Sequence, residues 1–435
     1  MRRVKSPYEF RQTQVFTPDE VVALIWKIVA KYRPNPQAVI DLGAGDGRFA
    51  QKGKYKKYLG IEIDTRTVQR KLPPNACLEY GCAFEKAKGK WDIAIGNPPY
   101  VRNHYIELPW MMTVAQRFKS NLDMEMNRQA NLFVYFLLLG IDVTHSTGLV
   151  AMLTPYEWVA RPSSKPLRTL IDKNKWEVSI YRFKDRIFNE VMTTAALSII
   201  DKSKSTGKWN FFEIDETFSI QPRRLASGSR YKVLDYEKRS GKSWALRGLS
   251  PGTQKIFTLT EGERIHHGLS LDDVMPCVTT LKGLDNQTAV LTKKTFNKCF
   301  RDAGEKCWLI KSHENILSDK LASYLRSIPK SDYQTATCLD RDAWYEFKPF
   351  PEADILVASG FTHYGPKTVR NVVGAHHVGS VYGVFAPKRN HAKLVRKIKA
   401  YDFENRVIAH SGKLKKIEIR QLNGVLRGMC DESDA

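Results

Sequence analysis

Long apolar runs are missing from this sequence. The longest, Leu132 to Ile141, is ten residues and contains a Tyr and a Gly, far short of the roughly 20 residues a membrane-spanning helix needs. The opening stretch MRRVKSPYEFRQ is basic but has no apolar core behind it, so nothing there reads as a secretory leader. Paired cysteines are missing as well. The seven cysteines (77, 82, 277, 299, 307, 338 and 430) include no C-x-x-C pair and no zinc-type spacing. A scattered, odd-numbered set fits reduced thiols in a cytoplasmic protein, and no metal site is expected.

Acidic residues are in short supply. Against 69 Lys and Arg stand 46 Asp and Glu, a formal net charge of +23. Residues 1–200 hold 30 basic and 19 acidic residues (+11), and residues 201–435 hold 39 and 27 (+12). An excess spread over both halves suits a polyanion lying across the molecule, where neutralised phosphates release counterions. Residues 381–420 concentrate it, with 11 basic and 3 acidic residues.

From Ala38 to about residue 202, short apolar runs alternate with amphipathic segments. Candidate strands are Ala38–Leu42, Tyr58–Ile63, Asp92–Ile95, Leu149–Leu153, Val178–Phe183 and Ala195–Ile200, and Asn131–His145 has helical spacing. Strands alternating with helices predict an α/β domain on a mostly parallel, doubly wound sheet. The polar stretch DKSKSTGK (201–208) interrupts the alternation, so a linker or domain edge is expected between about 202 and 225. Beyond it lie short β-rich runs (Trp344–Phe347, Ile355–Ala358, Val378–Phe385) and a basic helix near 391–403, which predict a separate α+β domain.

Four stretches carry chemistry. In VIDLGAGDGRFA (39–50), Asp41-Leu42-Gly43-Ala44-Gly45-Asp46-Gly47 forms a D-x-G-x-G-x-G loop between a strand and a helix start. Glycines let a ligand approach the backbone at the carboxyl end of the first strand. Asp41 suits a ligand that carries a positive charge and no phosphate. The next strand ends GIEID, where Glu62 is placed to hydrogen-bond both hydroxyls of a ribose; Asp64 competes for that position as a helix cap. Upstream, Thr17-Pro18-Asp19-Glu20 reads as a capping box with Pro at the first helical position; alternatively this helix start closes over the nucleoside. Finally, DIAIGNPPY (92–100) is a buried strand that breaks into Gly96-Asn97-Pro98-Pro99-Tyr100. A stiff turn is one reading. The other is a pair of acceptors, the Asn97 side-chain oxygen and the Pro98 carbonyl, that bind both protons of an exocyclic amine and aim its lone pair.

In this order the motifs resemble the γ class of amino-methylating DNA methyltransferases, the TaqI type. The resemblance covers roughly residues 12–200, with weaker similarity in GKLKKIEIRQLNGV near the end. It implies a Rossmann-like class I methyltransferase domain over residues 1–210 and a DNA target-recognition domain over 211–435. The implied cofactor is S-adenosylmethionine, held by Thr17, Pro18, Asp41, Gly43, Ala44, Gly45, Glu62, Ile63, Cys82, Phe84 and Asn97. The implied reaction is adenine-N6 methylation of a flipped-out base in double-stranded DNA. Asn97, Pro98, Pro99 and Tyr100 would serve it, and Phe188 in RIFNEVMTTAALSII would stack on the base. The resemblance further implies a monomer that protects host DNA from a cognate restriction endonuclease. One departure stands out: Cys82 occupies the place where the family carries an acid, with Phe84 and Glu85 nearby.

Cytosine-N4 methylation uses the same acceptor pair, although such enzymes more often carry Ser in place of Asn97. A protein-glutamine methyltransferase also shares N-P-P-Y, but a peptide substrate needs no large basic domain. A DNA-binding protein with a defunct cofactor pocket is the non-catalytic alternative. In the C-terminal half, Lys388, Arg389, Lys393, Arg396 and Lys397 of APKRNHAKLVRKIKAYDF are candidates for the phosphate backbone, and so is Lys282. LKGLDNQ (281–287) and SGFTHYGPKTVR (359–370) are candidates for base edges.

Overall fold

The computed structural model describes residues 16–159, 161–184, 195–223, 244–314, 316–386, 390–404, 409–411 and 414–431. The chain divides into two compact units, the first made of residues 1–233 with 408–413 and the second of 234–407 with 414–435.

The first unit runs α1 (Asp19–Tyr32), β1 (Ala38–Leu42), α2 (Arg48–Lys52), β2 (Lys57–Glu62), β3 (Ala76–Tyr80), α3 (Ala83–Lys86), β4 (Trp91–Gly96) and α4 (Leu108–Leu122). It continues through α5 (Leu132–Val143), β5 (Thr144–Pro155), α6 (Lys165–Lys173), β6 (Glu177–Phe183), β7 (Ala195–Asp201), β8 (Trp209–Ile214) and β9 (Ile220–Pro222). The strands form one sheet in the order β3-β2-β1-β4-β5-β7-β6-β8-β9. The β3-β2-β1-β4-β5 part is wholly parallel; β7 then pairs antiparallel with both β5 and β6. Strand order reverses between β1 and β4, which makes their carboxyl ends a topological switch point, the place where open α/β sheets bind ligands.

Both faces of the sheet are covered, which explains why its strands read as continuous apolar runs. On one face, Val21, Val22, Ile25, Ile28 and Val29 of α1 share a core with Val39, Ile93, Ile95, Leu149, Ala151 and Leu197. The intervening residues Ile40, Ala94, Val150 and Met152 are also fully buried, as the two-residue alternation of a strand requires. Helix α5 covers this second set: a Cβ placed on Gly140 would lie 2.8 Å from Met152 Cε and 3.3 Å from Ala94 Cβ. Nearly every α5 residue is buried, the signature of a helix that is apolar all round.

Two expectations about the end of this unit need correction. Residues 202–208 are not a linker but the turn from β7 to β8, and a boundary at 210 would cut β8. Trp209 to Ile214 pair in register with Val178 to Phe183, which extends the sheet to Pro222. The polar stretch also conceals a buried residue. Lys202 Nζ donates to the carbonyls of Ile141 (2.8 Å) and Thr144 (3.0 Å), satisfying the C-terminal end of α5, where carbonyls lack helical partners.

The second unit contains a five-stranded sheet, β10-β19-β15-β17-β13, and a four-stranded one, β11-β14-β12-β18. The strands of the larger sheet are β10 (Ala245–Leu246), β13 (Val290–Leu291), β15 (Ile355–Ala358), β17 (Thr368–Asn371) and β19 (Val381–Val384). Those of the smaller are β11 (Thr258–Leu259), β12 (Val274–Val278), β14 (Trp308–Ile310) and β18 (His376–His377). The α+β expectation therefore holds. Trp344–Phe347, however, is not a strand. Its aromatics are loop anchors: Trp344 stacks on Tyr333 with ring centroids 4.0 Å apart, and Phe347 meets Phe257 edge-on at 5.6 Å. The basic helix spans His391–Ala400, shorter than expected, and the Asn390 side chain caps it by accepting the Lys393 N–H at 3.0 Å.

Replacing Lys202 with Ala should destabilise the protein by about 1–3 kcal/mol, because buried α5 carbonyls lose their donor. Lys204→Ala, on a neighbouring exposed side chain, should change little. Urea unfolding of the two variants checks this.

Candidate active site at the switch point

The parallel register places the carboxyl ends of three strands side by side. Asp41 of β1 lies opposite Gly60 of β2 and Ile95 of β4. Beyond β1 the chain turns through Gly43, Gly45 and Gly47, all at positive φ (83°, 56° and 81°), a conformation that only glycine adopts without strain. The turn is pinned from below, where the Gly43 and Ala44 N–H groups donate to Ile61 O at 3.0 and 2.9 Å.

Glu62, at the end of β2, is the central side chain of the site. One carboxylate oxygen accepts the Gly45 N–H and the other the Asp64 N–H, each at 2.8 Å. Each oxygen retains a second acceptor direction, so a pair of vicinal hydroxyls fits this carboxylate. The next residue, Ile63, is 54% exposed and offers a bare apolar surface beside it. Asp64 caps no helix; its carboxylate instead accepts the Arg66 N–H at 3.1 Å and pairs with the Arg66 guanidinium at 2.7 Å.

Asp41 lies beneath the glycine loop, fully buried. The Tyr58 hydroxyl donates to its Oδ2, while Oδ1 has no hydrogen-bond partner. Burial, with help from the nearby Glu62 and Asp46 carboxylates, pushes its pKa up to about 7 despite the Tyr58 hydrogen bond. A Cβ on Gly96 would come 2.7 Å from this Oδ1 and 3.0 Å from Leu42 O. Glycine at the last position of β4 is what lets the following turn approach the β1 loop so closely.

That turn is Asn97-Pro98-Pro99-Tyr100. The Asn97 Nδ2 donates to Thr17 Oγ1 at 3.1 Å, which turns the amide nitrogen toward Thr17 and the oxygen away from it. Thr17 is therefore not the helix cap that the sequence suggests. Helix α1 starts after Pro18 with no side-chain cap, because the Thr17 hydroxyl is engaged with Asn97, 80 residues away. The Thr17 carbonyl is held in turn by the Arg48 guanidinium, which also pairs with Asp46 at 2.8 Å. Burial alone would raise the Asp46 carboxyl, but hydrogen bonds from Arg48 and Arg70 hold it below its ordinary value. Pro98 is buried and Pro99 half-buried. Tyr100 meets Phe133 edge-on at 6.3 Å, and burial raises its phenol well above the ordinary value.

An aromatic wall backs the site. Phe84 makes edge-on contacts with Trp110 (4.9 Å) and Phe136 (5.0 Å). Arg117 of α4 steadies it, donating to Phe84 O at 2.6 Å while pairing with buried Asp142 at 2.8 Å. Cys82 is half-buried and directly precedes α3. The structure thus joins the glycine loop to Glu62 and Thr17 to the Asn97 turn by direct hydrogen bonds, with Asp41 underneath. Phe188 lies outside the described residues. Three neighbours escaped sequence reasoning: Phe16, against which a Gly45 Cβ would rest at 3.4 Å, and the positioning residues Arg48 and Arg117. Isolated arginines and a phenylalanine before T-P carry no spacing signal.

In the second unit, Lys393 and Arg396 of the basic helix are exposed, as is Lys282. Lys397 is half-buried and donates to Met429 O at 3.2 Å. Lys388 and Arg389 lie outside the described residues.

Two family models match the chain and together span more than half of it. The Eco57I restriction-modification methylase model matches residues 49–188, and the C-terminal domain model of the type II methyltransferase M.Eco57I matches residues 245–403. The type II methyltransferase M.AccI of Acinetobacter calcoaceticus is 22% identical over 338 residues, 69% of this chain and 61% of its own length. M.XamI of Xanthomonas campestris pv. amaranthicola is 23% identical over 275 residues, 59% of this chain and 51% of its own. The chain thus spans about half to three-fifths of these two relatives. The type IIL restriction-modification enzyme MmeI, solved in complex with DNA, superposes with a TM-score of 0.58 at 10% identity, covering 94% of this chain and 64% of that one. That likeness establishes the fold, a Rossmann-like methyltransferase domain followed by a C-terminal domain. With both of its domains matched in order, this chain belongs to the Eco57I-type restriction-modification methylases.

Proposed function

We propose that the chain transfers a methyl group from S-adenosylmethionine to the N6 amine of an adenine flipped out of double-stranded DNA. In this reading it acts as a monomer and is the protecting partner of a cognate restriction endonuclease. The observation that carries it is the Asn97 amide, held by Thr17 just beyond β4 at the switch point with its nitrogen toward Thr17. The residues at the switch point fit the cofactor. Glu62 would take the ribose hydroxyls and Ile63 one face of the adenine. Gly43 to Gly45 would pass beneath the amino-acid end, with Asp41 behind them, and Phe84 with Cys82 would border the base. Bound there, the cofactor supplies the electrophilic methyl group, so no covalent nucleophile is required of the protein.

The protein's task is orientation. An exocyclic amine is a weak nucleophile because its lone pair is delocalised into the ring. Hydrogen bonds from its two N–H groups to Asn97 Oδ1 and Pro98 O would aim the lone pair and stabilise positive charge developing on nitrogen, until one of those protons is lost and the neutral amine is restored. Consecutive prolines fix the carbonyl and present no competing N–H. Tyr100 and Phe188 would hold the base between aromatic faces. Asn at position 97 favours adenine over cytosine, where relatives more often have Ser.

Tritium transfer from methyl-labelled cofactor to unmethylated genomic DNA, followed by nucleoside separation, tests this reading. Label in N6-methyladenosine is expected, and label in N4-methylcytosine would reassign the base. Asn97→Ala should lower kcat by about 100-fold or more. Thr17→Val should lower kcat by about tenfold, the net worth of one hydrogen bond. Glu62→Gln turns an amide donor toward a backbone N–H and should weaken cofactor binding by about tenfold or more, measured by calorimetry without DNA.

A further inference from the structure

Strands β13 and β17 are parallel neighbours, with Val290 opposite Arg370 and Leu291 opposite Asn371. The segments that lead into them, 281–289 and 362–367, therefore lie side by side at one end of the five-stranded sheet. Side chains fasten them together. Lys367 Nζ donates to Lys282 O at 2.6 Å and also to Leu284 O. Lys399 of the basic helix donates to Asn286 O at 2.9 Å and Thr288 O at 2.7 Å. Two lysines, Lys367 and Lys399, thus hold the backbone of one loop.

What they hold up is polar and exposed: Lys282, Asn286 and Gln287 from the first segment, His363 and Tyr364 from the second. Tyr364 is the most telling. Tyr364 is 88% exposed and its φ is +60°, a left-handed conformation that is unfavourable for an L-residue. Such strain persists only where the surroundings impose it; here Pro366 is buried and Lys367 is tied down on the C-terminal side. An aromatic ring on a fixed, strained loop fits insertion against a base stack. Side-chain amides and a lysine beside it match the hydrogen-bonding edges of bases in the major groove.

We propose that segments 281–287 and 362–367 form one surface that reads the DNA sequence. Tyr364 packs against the bases, and Lys367 is the positioning residue that fixes the register of the two segments. The proposal rests on duplex DNA being the substrate.

The test uses the full chain and three variants: Tyr364→Ala, Lys367→Met and Lys367→Arg. Methylated sequences are mapped first for the parent. Affinities are then measured by fluorescence anisotropy for a duplex carrying the mapped site and for a scrambled duplex, with cofactor titration and thermal melting as checks on folding. Tyr364→Ala should weaken binding to the site by about tenfold, the worth of one stacked base, with cofactor binding unchanged. Lys367→Met should shrink the site-to-scrambled affinity ratio and add methylated sequences, and Lys367→Arg, which keeps a donor for the two carbonyls, should restore both. If the parent methylates its site and the variants keep the parental ratio and sequence map, the surface is wrong while the methylation reading stands. If the parent neither methylates DNA nor prefers any duplex, both are overturned.

Discussion

The site depends on one carboxylate shared between two loops. Glu62 receives the Gly45 N–H on one oxygen and the Asp64 N–H on the other, so the turn after β1 and the turn after β2 are set by the same group. Charged acceptors make stronger hydrogen bonds than neutral ones, and this one is buried. Everything that lines the switch point hangs from that geometry. In the loop with three positive-φ glycines, the Gly45 N–H is engaged by Glu62 and those of Gly43 and Ala44 by Ile61 O. The proposed ribose contact would couple scaffold and ligand at one carboxylate, since a change at Glu62 disturbs the loop as well.

A second chain of contacts fixes the other side of the site. Arg48, at the start of α2, clasps the Thr17 carbonyl, and the Thr17 hydroxyl orients Asn97. Three segments distant in sequence thus converge on one amide. The proposed reaction asks of this arrangement only that it orient a group. A group that has only to aim a lone pair benefits from rigidity, and rigidity comes from prolines, buried hydrogen bonds and a close strand approach at Gly96.

Much of this was legible in the sequence, and the failures share a cause. Apolar runs located β1, β2, β4, β5, β6 and β7, because strands buried on both faces carry an unbroken signal. The edge strands β3 and β9, and β8 next to one of them, were missed. β3 is largely exposed, and β8 begins inside what composition presents as the end of a linker. Motif spacing pointed to Glu62 and Asn97, and the structure places each at or just beyond a strand end. It misread Thr17, since a capping box is defined by local neighbours and the true partner is 80 residues distant. Trp344–Phe347 failed for a related reason: aromatic composition favours strands, yet these rings satisfy themselves by stacking in a loop.

Charge is where sequence and structure part most instructively. A net +23 invites the assumption that each lysine is a phosphate contact. Lys202, Lys367, Lys397 and Lys399 all donate to backbone carbonyls instead. An ammonium group can satisfy several carbonyl acceptors at once, whereas a neutral hydroxyl donates a single proton. Loops and helix ends rich in unpaired carbonyls therefore recruit lysine for shape as readily as polyanions recruit it for charge. The distinction has a functional consequence in the second unit. In the proposed reading, lysines that fix a loop's form would act on what the loop can fit, while exposed ones such as Lys393 would act on attraction that every sequence shares. Composition counts both kinds alike, and only the position of each ammonium group separates a residue that shapes recognition from one that strengthens binding.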